Sequence, residues 1–428
     1  MRMLDVYKNL VAILIGTIIA AILAEIILRL VPDKVIGNST FSRRADKRIG
    51  LLNTPNQKSS WNSECFRIFP ISTNSFGYRD NEWNVKTGFK ILVLGDSFME
   101  ALEVSDGNTA SDRLERLLNV EVLNAGFSGY GTVAELSAYR EFFKPFKPKI
   151  VILFFLTAND IRDNSCELTK IVVGKKRYLP CSYISNGTIR DETNFSDPYH
   201  VTTKVDSYQD ALEKMKGVIS KYSVTYRALH KILKNIKKGS LPADGYVYMP
   251  AVAKDWKDAW EITEKKLVDL NNEIKTDGGK LLITTIPDYL RISKDWRQEF
   301  IKEAGVSRVP EDFDPFLPVK KLESITKKYN MIFLQLEPYF IEYRDKFDLK
   351  TPYFSYWCNG HWNPLGHFLS ANIIARFLIE GDMILLEELK KMELLEKIKN
   401  NLNYSPLQIL GLRAYEQIYN HGVYSPAS

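Results

Sequence analysis

Five short runs of nearly continuous apolar residues recur along the chain, at 90–94 (KILVL), 120–123 (VEVL), 149–156 (KIVILFFL), 280–286 (KLLITTI) and 330–336 (NMIFLQL). Runs of this length without polar alternation predict strands covered on both faces. Patterns of helical period lie between them. Residues 110–118 carry Leu114, Leu117 and Leu118 on one face, and residues 256–275 repeat apolar positions three and four apart. Strand alternating with helix predicts an α/β protein with a central parallel sheet. Such sheets bind ligands beyond the carboxyl ends of their strands, so chemistry is expected in the residues that follow each apolar run.

A different apolar pattern opens the chain. Residues 10–24 (LVAILIGTIIAAILA) carry no charge, and the apolar character resumes through 26–31 before Pro32 ends it. About 20 apolar residues at roughly 1.5 Å each span a bilayer core, which predicts a transmembrane helix and an uncleaved anchor over 1–35. Glu25 and Arg29 sit near its far end at a spacing where they pair while Arg29 reaches the headgroups. The rival is a cleaved signal peptide, with Arg2 and Lys8 before the apolar run and small residues near Ala24. Cleavage there would leave EIILRLV exposed. The basic residues Arg29, Lys34, Arg43, Arg44, Lys47 and Arg48 outnumber those before the helix, a count that by itself places the body in the cytoplasm.

Composition narrows the function classes. Of 428 residues, 45% are hydrophobic and 26% charged, as in a folded protein with a large core. Lys plus Arg number 58 against 52 Asp plus Glu, a net charge of +6 that is not gathered into one basic block, so nucleic acid is not an expected partner. Cys65, Cys166, Cys181 and Cys358 form no CxxC pair and have no histidine cluster beside them, which argues against a structural zinc site. Neither a metal nor a cofactor is expected.

The strand ends carry four motifs. After the first run come Gly95, Asp96, Ser97 and Phe98, which would expose a serine on a tight turn, or equally place an ordinary helix cap. After the second come Asn124, Ala125, Gly126, Phe127, Ser128, Gly129, Tyr130 and Gly131, whose glycines would present backbone N–H groups to an anion or form a plain loop. After the third come Thr157, Ala158, Asn159 and Asp160, an amide and a carboxylate that also read as an Asn-Asp turn. Near the end of the sheet region comes CNGHWNPLGH, residues 358–367, with two of the five histidines, His361 and His367.

These four segments, in this order, resemble the consensus blocks of the SGNH/GDSL hydrolase superfamily, over roughly residues 70 to 380. The segment from Asn74 to Asp80 (NSFGYRD) resembles membrane-anchored bacterial members. The resemblance implies a flavodoxin-like three-layer α/β/α sandwich with Ser97 as nucleophile and His361 as general base. It implies an oxyanion hole of the Ser97 N–H, the Gly129 N–H and the Asn159 side chain, with Asp96 and Asp160 structural beside it. Ester cleavage needs those parts: a nucleophile, a base within reach, and donors aimed at the tetrahedral oxyanion. His367 is the rival base, although its place at a helix start favours packing or capping.

Two positions depart from the family pattern. Thr157 stands where the third block usually has glycine, and Cys358 and Asn359 stand where the last block carries the aspartate that orients the histidine. Loss of that aspartate costs a serine protease about 10⁴-fold in turnover. A working Ser97–His361 dyad is the reading preferred, with Asn359 offering its carbonyl oxygen, or a backbone carbonyl or distant acid serving instead; a slow or inactive enzyme is the alternative.

The remaining organisation follows. A lead-in segment at 36–89 packs on a catalytic domain at 90–380, which is interrupted by an insertion at about 165–249 that reads as a cap or groove wall. Cys166 and Cys181 within it form either a local disulfide or two buried thiols. Trp256 and Trp260, four apart on a helix, read as core rather than as a sugar-stacking pair. A C-terminal helical extension at 381–428 presents Leu385, Leu389, Met392 and Leu395 on one stripe, expected to pack on the domain. The expected function is a membrane-anchored esterase removing O-acetyl groups from a cell-envelope glycan or lipid, on the extracytoplasmic face by resemblance. The alternatives are an O-acyltransferase working with a polytopic membrane partner, and a catalytically silent glycan-binding relative.

Overall fold

The computed structural model describes residues 41–62, 68–84, 88–157, 159–173, 178–192, 243–250, 254–304, 308–350, 353–356 and 360–411, with isolated positions between 13 and 26. Two antiparallel strand pairs come first: β1 (Arg43–Asp46) with β2 (Gly50–Asn53), and β3 (Lys58–Asn62) with β4 (Ile68–Ser72). The five predicted apolar runs then form β5 (Lys90–Leu94), β6 (Glu121–Asn124), β7 (Ile150–Phe155), β10 (Lys280–Thr285) and β11 (Ile332–Leu334). Between β7 and β10 lies a third antiparallel pair, β8 (Cys181–Ser185) with β9 (Thr188–Glu192).

The five apolar strands build one parallel sheet in the order β11-β10-β7-β5-β6. Numbered along the chain, that order is 2-1-3-4-5, so the direction of winding reverses between β5 and β7. A crevice opens at such a reversal, beyond the carboxyl ends of the two strands. Ser97 follows one of them and Asn159 the other.

The absence of alternation in the strands has a simple cause. Leu92, Leu94, Val151, Leu153, Phe155, Leu281 and Ile283 belong to one buried cluster, and Ile91, Val93, Ile152, Phe154 and Leu282 to a second on the opposite face. The helices, in chain order, are α1 (Ser97–Glu100), α2 (Ala110–Leu118), α3 (Thr132–Ala138), α4 (Asp160–Asn164), α5 (Cys166–Val173), α6 (Lys254–Thr276), α7 (Tyr289–Ile292), α8 (Trp296–Ala304), α9 (Leu317–Lys328), α10 (Glu337–Lys346), α11 (Pro364–Glu380), α12 (Glu388–Asn401) and α13 (Pro406–Leu410). Residues of α3, α6 and α9 close the first cluster, and residues of α2, α10 and α11 the second. Trp256 and Trp260 are buried in the first, as the core reading of that pair expects.

Three further expectations meet the structure here. The fold expectation that a membrane-spanning helix precedes the sheet is corrected: among the described residues no helix is long and apolar enough to cross a membrane. Nine positions between Ile13 and Ile26 are described, all helical; the rest of the run at 10–31 lies outside the described residues. Part of the insertion, residues 193–242, lies outside the described residues, as does 412–428 of the extension. In the extension, α12 packs on α11, but through Leu394, Leu395, Ile398 and Leu402; Leu385, Leu389 and Met392 of the expected stripe are exposed. The stripe fails because the buried face continues from Leu395 toward the helix C-terminus, not back toward Leu385.

Cys166 and Cys181 are joined in a disulfide across 15 residues, tying the start of α5 to the start of β8. Lys266 on α6 meets Asp191 on β9, and Asn164 donates to Thr263 of α6, so the bridged segment is seated on the first cluster's helix layer. A closed loop of about 15 residues removes roughly 3 kcal/mol of chain entropy from the unfolded state. Reducing the bridge, or replacing both cysteines by serine, is expected to lower the urea-unfolding free energy by about that amount while leaving the far-ultraviolet circular dichroism unchanged.

Candidate active site

The chain turns sharply at Gly95, where a Cβ would lie 2.6 Å from the Met99 side chain. Asp96 then caps α1, its Oδ1 accepting from Phe98 N at 2.9 Å, and Ser97 becomes the first helical residue, partly exposed at the end of β5. The loop after β6 lies directly on this turn. At Gly126 an added Cβ would stand 2.3 Å from the Met99 backbone, so only glycine permits the approach.

His361 arrives from the other end of the domain. Its backbone carbonyl accepts from Tyr356 N at 2.8 Å, and Trp362 pairs with Ser355 in a short antiparallel bridge. Two residues on, Asn363 caps α11, accepting from Leu365 N and Gly366 N while donating to the carbonyls of Tyr353 and Ser355. The loop is thereby fixed on both sides of the histidine. The Phe98 ring packs against the imidazole, centroids 5.0 Å apart, and Trp362 is buried against Phe98. His361 Nε2 lies 2.8 Å from Ser97 Oγ. Two residues that sequence analysis named from separate blocks are thus in hydrogen-bond contact across 264 positions.

On the far side of the ring, His361 Nδ1 lies 3.6 Å from Glu103 Oε1, an ion-pair distance longer than a hydrogen bond. Glu103 was not singled out in the sequence. Its only signal there is a charged residue set between Leu102 and Val104, both of which prove buried, in the loop between α1 and α2. Burial pushes its carboxyl above the usual range, against the pull of His361. Asn359 and Cys358 lie outside the described residues.

The loop carrying Glu103 has no regular structure and is held from outside. Arg79, buried, donates Nη1 to the carbonyls of Glu100 and Ala101, and Nη2 to the Val104 carbonyl and the Asp106 carboxylate. Glu100, fully buried at the end of α1, accepts from Arg43 of β1, Asn53 of β2, and the backbone N–H and hydroxyl of Ser128. Asn124 then ties the loop after β6 to Arg79 and Met99 through its side-chain amide. The lead-in segment therefore holds the site together.

Asn159 caps α4 at the end of β7, and its Nδ2 donates to Asp96 Oδ2 at 3.3 Å. Gly129, at φ +85°, lines a cavity of about 340 Å³ with Asp163, Cys166, Glu167, Tyr183 and Glu192 among its walls. Thr157, the departure from glycine, is buried with its hydroxyl accepting from Arg291 Nη1 at 2.8 Å, so its side chain belongs to a buried network rather than to the approach to Asn159. Arg291 in turn pairs with Asp288 and Glu337, joining the ends of β7 and β10 to α10. Asp160 is buried, its Oδ2 accepting from Leu156 N at 2.8 Å. Burial raises three carboxyls under the serine: Asp96 to about 6, and Asp160 and Glu135 well above the usual range.

His367 is not a second base. Its Nδ1 accepts from Ala110 N at 3.2 Å, at the start of α2, and burial lowers its pKa well below the usual value. Among the described residues, no group of three or more His, Cys, Asp or Glu is arranged to hold a metal ion.

No protein-family model matches the chain, and no curated protein matches it. Among solved structures it is similar to a putative lipolytic protein of the G-D-S-L family from Desulfitobacterium hafniense DCB-2, at 11% identity and a TM-score of 0.32, covering 68% of this chain and 99% of that one. It is similar also to an acetyl xylan esterase, at 11% identity and a TM-score of 0.37, covering 67% and 98%. A third is a catalytic mutant of an acetylxylan esterase from Geobacillus stearothermophilus, at 14% identity and a TM-score of 0.35, covering 69% and 94%.

The buried groups generate two predictions. His367→Ala leaves the Ala110 N–H without its acceptor and opens a gap beside Trp362, so thermal or urea unfolding is expected to show a loss of about 1–3 kcal/mol with the Ser97–His361 contact untouched. The second concerns pH. Asp96, Asp160 and Glu135 keep protons in the folded chain that unfolded carboxyls release near pH 4, so the folded state binds more protons and stability falls as pH rises from about 4 through 6 and beyond. The melting temperature is expected to be higher at pH 5 than at pH 8, and Glu135→Gln to narrow the difference; an unchanged difference would show that Glu135 does not titrate in this range.

Proposed function

We propose that this chain is a serine esterase that cleaves O-acyl groups, acetyl foremost, from a glycan or lipid through an acyl-enzyme on Ser97. The observation that carries the reading is the 2.8 Å contact between Ser97 Oγ and His361 Nε2, just beyond the carboxyl end of β5, where the strand order reverses. A serine hydroxyl is a weak nucleophile until a base takes its proton, and a base at hydrogen-bond distance is the requirement for doing so.

In this mechanism His361 Nε2 accepts the Ser97 proton as Oγ attacks the ester carbonyl. The tetrahedral oxyanion is met by the Ser97 and Gly129 N–H groups and the Asn159 amide. Collapse expels the alcohol, which takes the proton back from His361 and leaves Ser97 acylated. Water activated by the same nitrogen then releases the acid. The raised carboxyls of Asp160 and Glu135 support this chemistry, because protonated acids place less negative charge near an oxyanion than carboxylates would. The Cys166–Cys181 bridge supports an oxidising, extracytoplasmic compartment.

The test is acetate release from p-nitrophenyl acetate by the full-length chain, with variants beside it. Ser97→Ala and His361→Ala are each expected to lower kcat by at least about 10³-fold, as loss of either partner of a linked pair does. Asn159→Ala is expected to lower it by about 10²–10³-fold, the size of one oxyanion donor. Adding an oligosaccharide acceptor distinguishes transfer from hydrolysis by whether acetylated sugar accumulates. Equal release by wild type and Ser97→Ala overturns the reading.

A further inference from the structure

The base of this site has a second nitrogen, for which the sequence offered Asn359, a position outside the described residues. When Nε2 takes the serine proton, the ring becomes an imidazolium, and the proton on Nδ1 needs an acceptor that also fixes which tautomer is present beforehand. In the described structure the carboxylate at Nδ1 is Glu103, 3.6 Å away. Asp96, the other acid near the ring, is already committed, accepting from Phe98 N on one oxygen and Asn159 Nδ2 on the other.

We propose that Glu103 is the positioning residue for His361, replacing from the loop after α1 the acid that the last motif lacks. The inference rests on the esterase reading of Ser97 and His361. Four observations carry it. The carboxylate faces Nδ1, on the opposite side of the ring from the serine. It is only 5% exposed, where a charge interacts far more strongly than in water. Its neighbours Leu102 and Val104 are buried, so the side chain between them has a fixed direction. The loop is nailed by Arg79 through the carbonyls of Glu100, Ala101 and Val104, the residues on either side of Glu103.

The distance fits a resting site, since catalytic hydrogen bonds are often long without substrate and tighten in the reacting complex. The step balances: Ser97 loses its proton to Nε2, and Nδ1 keeps its own and donates it in a hydrogen bond toward Glu103, with no proton transferred to the carboxylate. The charged groups that bear on Glu103 are His361 and Arg79, which favour its ionised form, and Glu100, which opposes it. Glu100 is itself paired with Arg43.

The experiment measures kcat, KM and the pH profile of p-nitrophenyl acetate hydrolysis by the full-length chain as wild type, Glu103→Gln, Glu103→Asp and Ser97→Ala. Glu103→Gln keeps the shape and removes the charge. It is expected to lower kcat by about 10²–10⁴-fold with KM within threefold, on the scale of losing a triad acid, and to move the acidic limb of kcat/KM to lower pH by about one unit. Glu103→Asp is expected to recover part of kcat and the wild-type position of that limb. A residue that merely supports the loop would change the melting temperature and leave the limb where it was. If Ser97→Ala abolishes activity while Glu103→Gln keeps kcat within threefold and the same limb, the inference is overturned and the esterase reading stands. If Ser97→Ala is as active as wild type, the esterase reading itself has failed.

Discussion

A guanidinium taken out of water must give its N–H groups to acceptors, and the acceptors Arg79 uses are the backbone carbonyls of the segment behind the serine. Much of the site follows from that constraint. Helix α1 is one turn long and the loop after it is irregular, so neither would hold a geometry alone. Arg79 supplies the missing hydrogen bonds from one side, and Glu100 collects Arg43, Asn53 and Ser128 from the other. A lead-in segment that the sheet does not need for closure becomes the frame of its crevice. Such second-layer contacts decide whether a reacting pair is held closely enough to work.

Beneath the serine the chain sets Asp96, Asp160 and Glu135 in one buried region, and burial moves all three the same way. Both oxygens of Glu135 lack a protein hydrogen-bond partner, which an ionised carboxylate could not tolerate at that depth. Burial raises Glu103 beside the imidazole as well, and His361 opposes the rise at both Asp96 and Glu103 but not at Asp160 or Glu135.

The sheet was legible because its strands are buried on both faces, and uninterrupted apolar runs are what that burial demands; Lys90–Leu94 and Ala110–Leu118 match to the residue. Ser97 and His361 were legible because each sits at a strand end or helix start with a recognisable local sequence. Glu103 was not, since what defines it is a contact with His361 across most of the domain, and nothing in ALEV advertises that. Arg79 was visible only as part of a motif, and its partners are backbone atoms, which no pattern of side chains reveals. The stripe from Leu385 to Leu395 misled for the opposite reason. A helical period was present, but which face meets the core depends on where α11 lies, and only Leu395 of the four points there. The apolar run at 10–31 was read from its length, its lack of charge and the proline that ends it, and among the described residues no helix long and apolar enough to span a membrane is found.

The order of parts along the chain bears on how the protein comes to be made. Ser97 and His361 are 264 residues apart, and α11 must also reach back to give Ala110 its acceptor. At about 5–20 residues per second, a ribosome takes on the order of 10–50 s to supply the second half of the pair after the first. Throughout that interval the segment holding Ser97 has emerged without His361, and the apolar face of β5 and α2 that α11 later covers is open to water. The newborn chain thus exposes that apolar face for as long as the Ser97–His361 contact is still impossible.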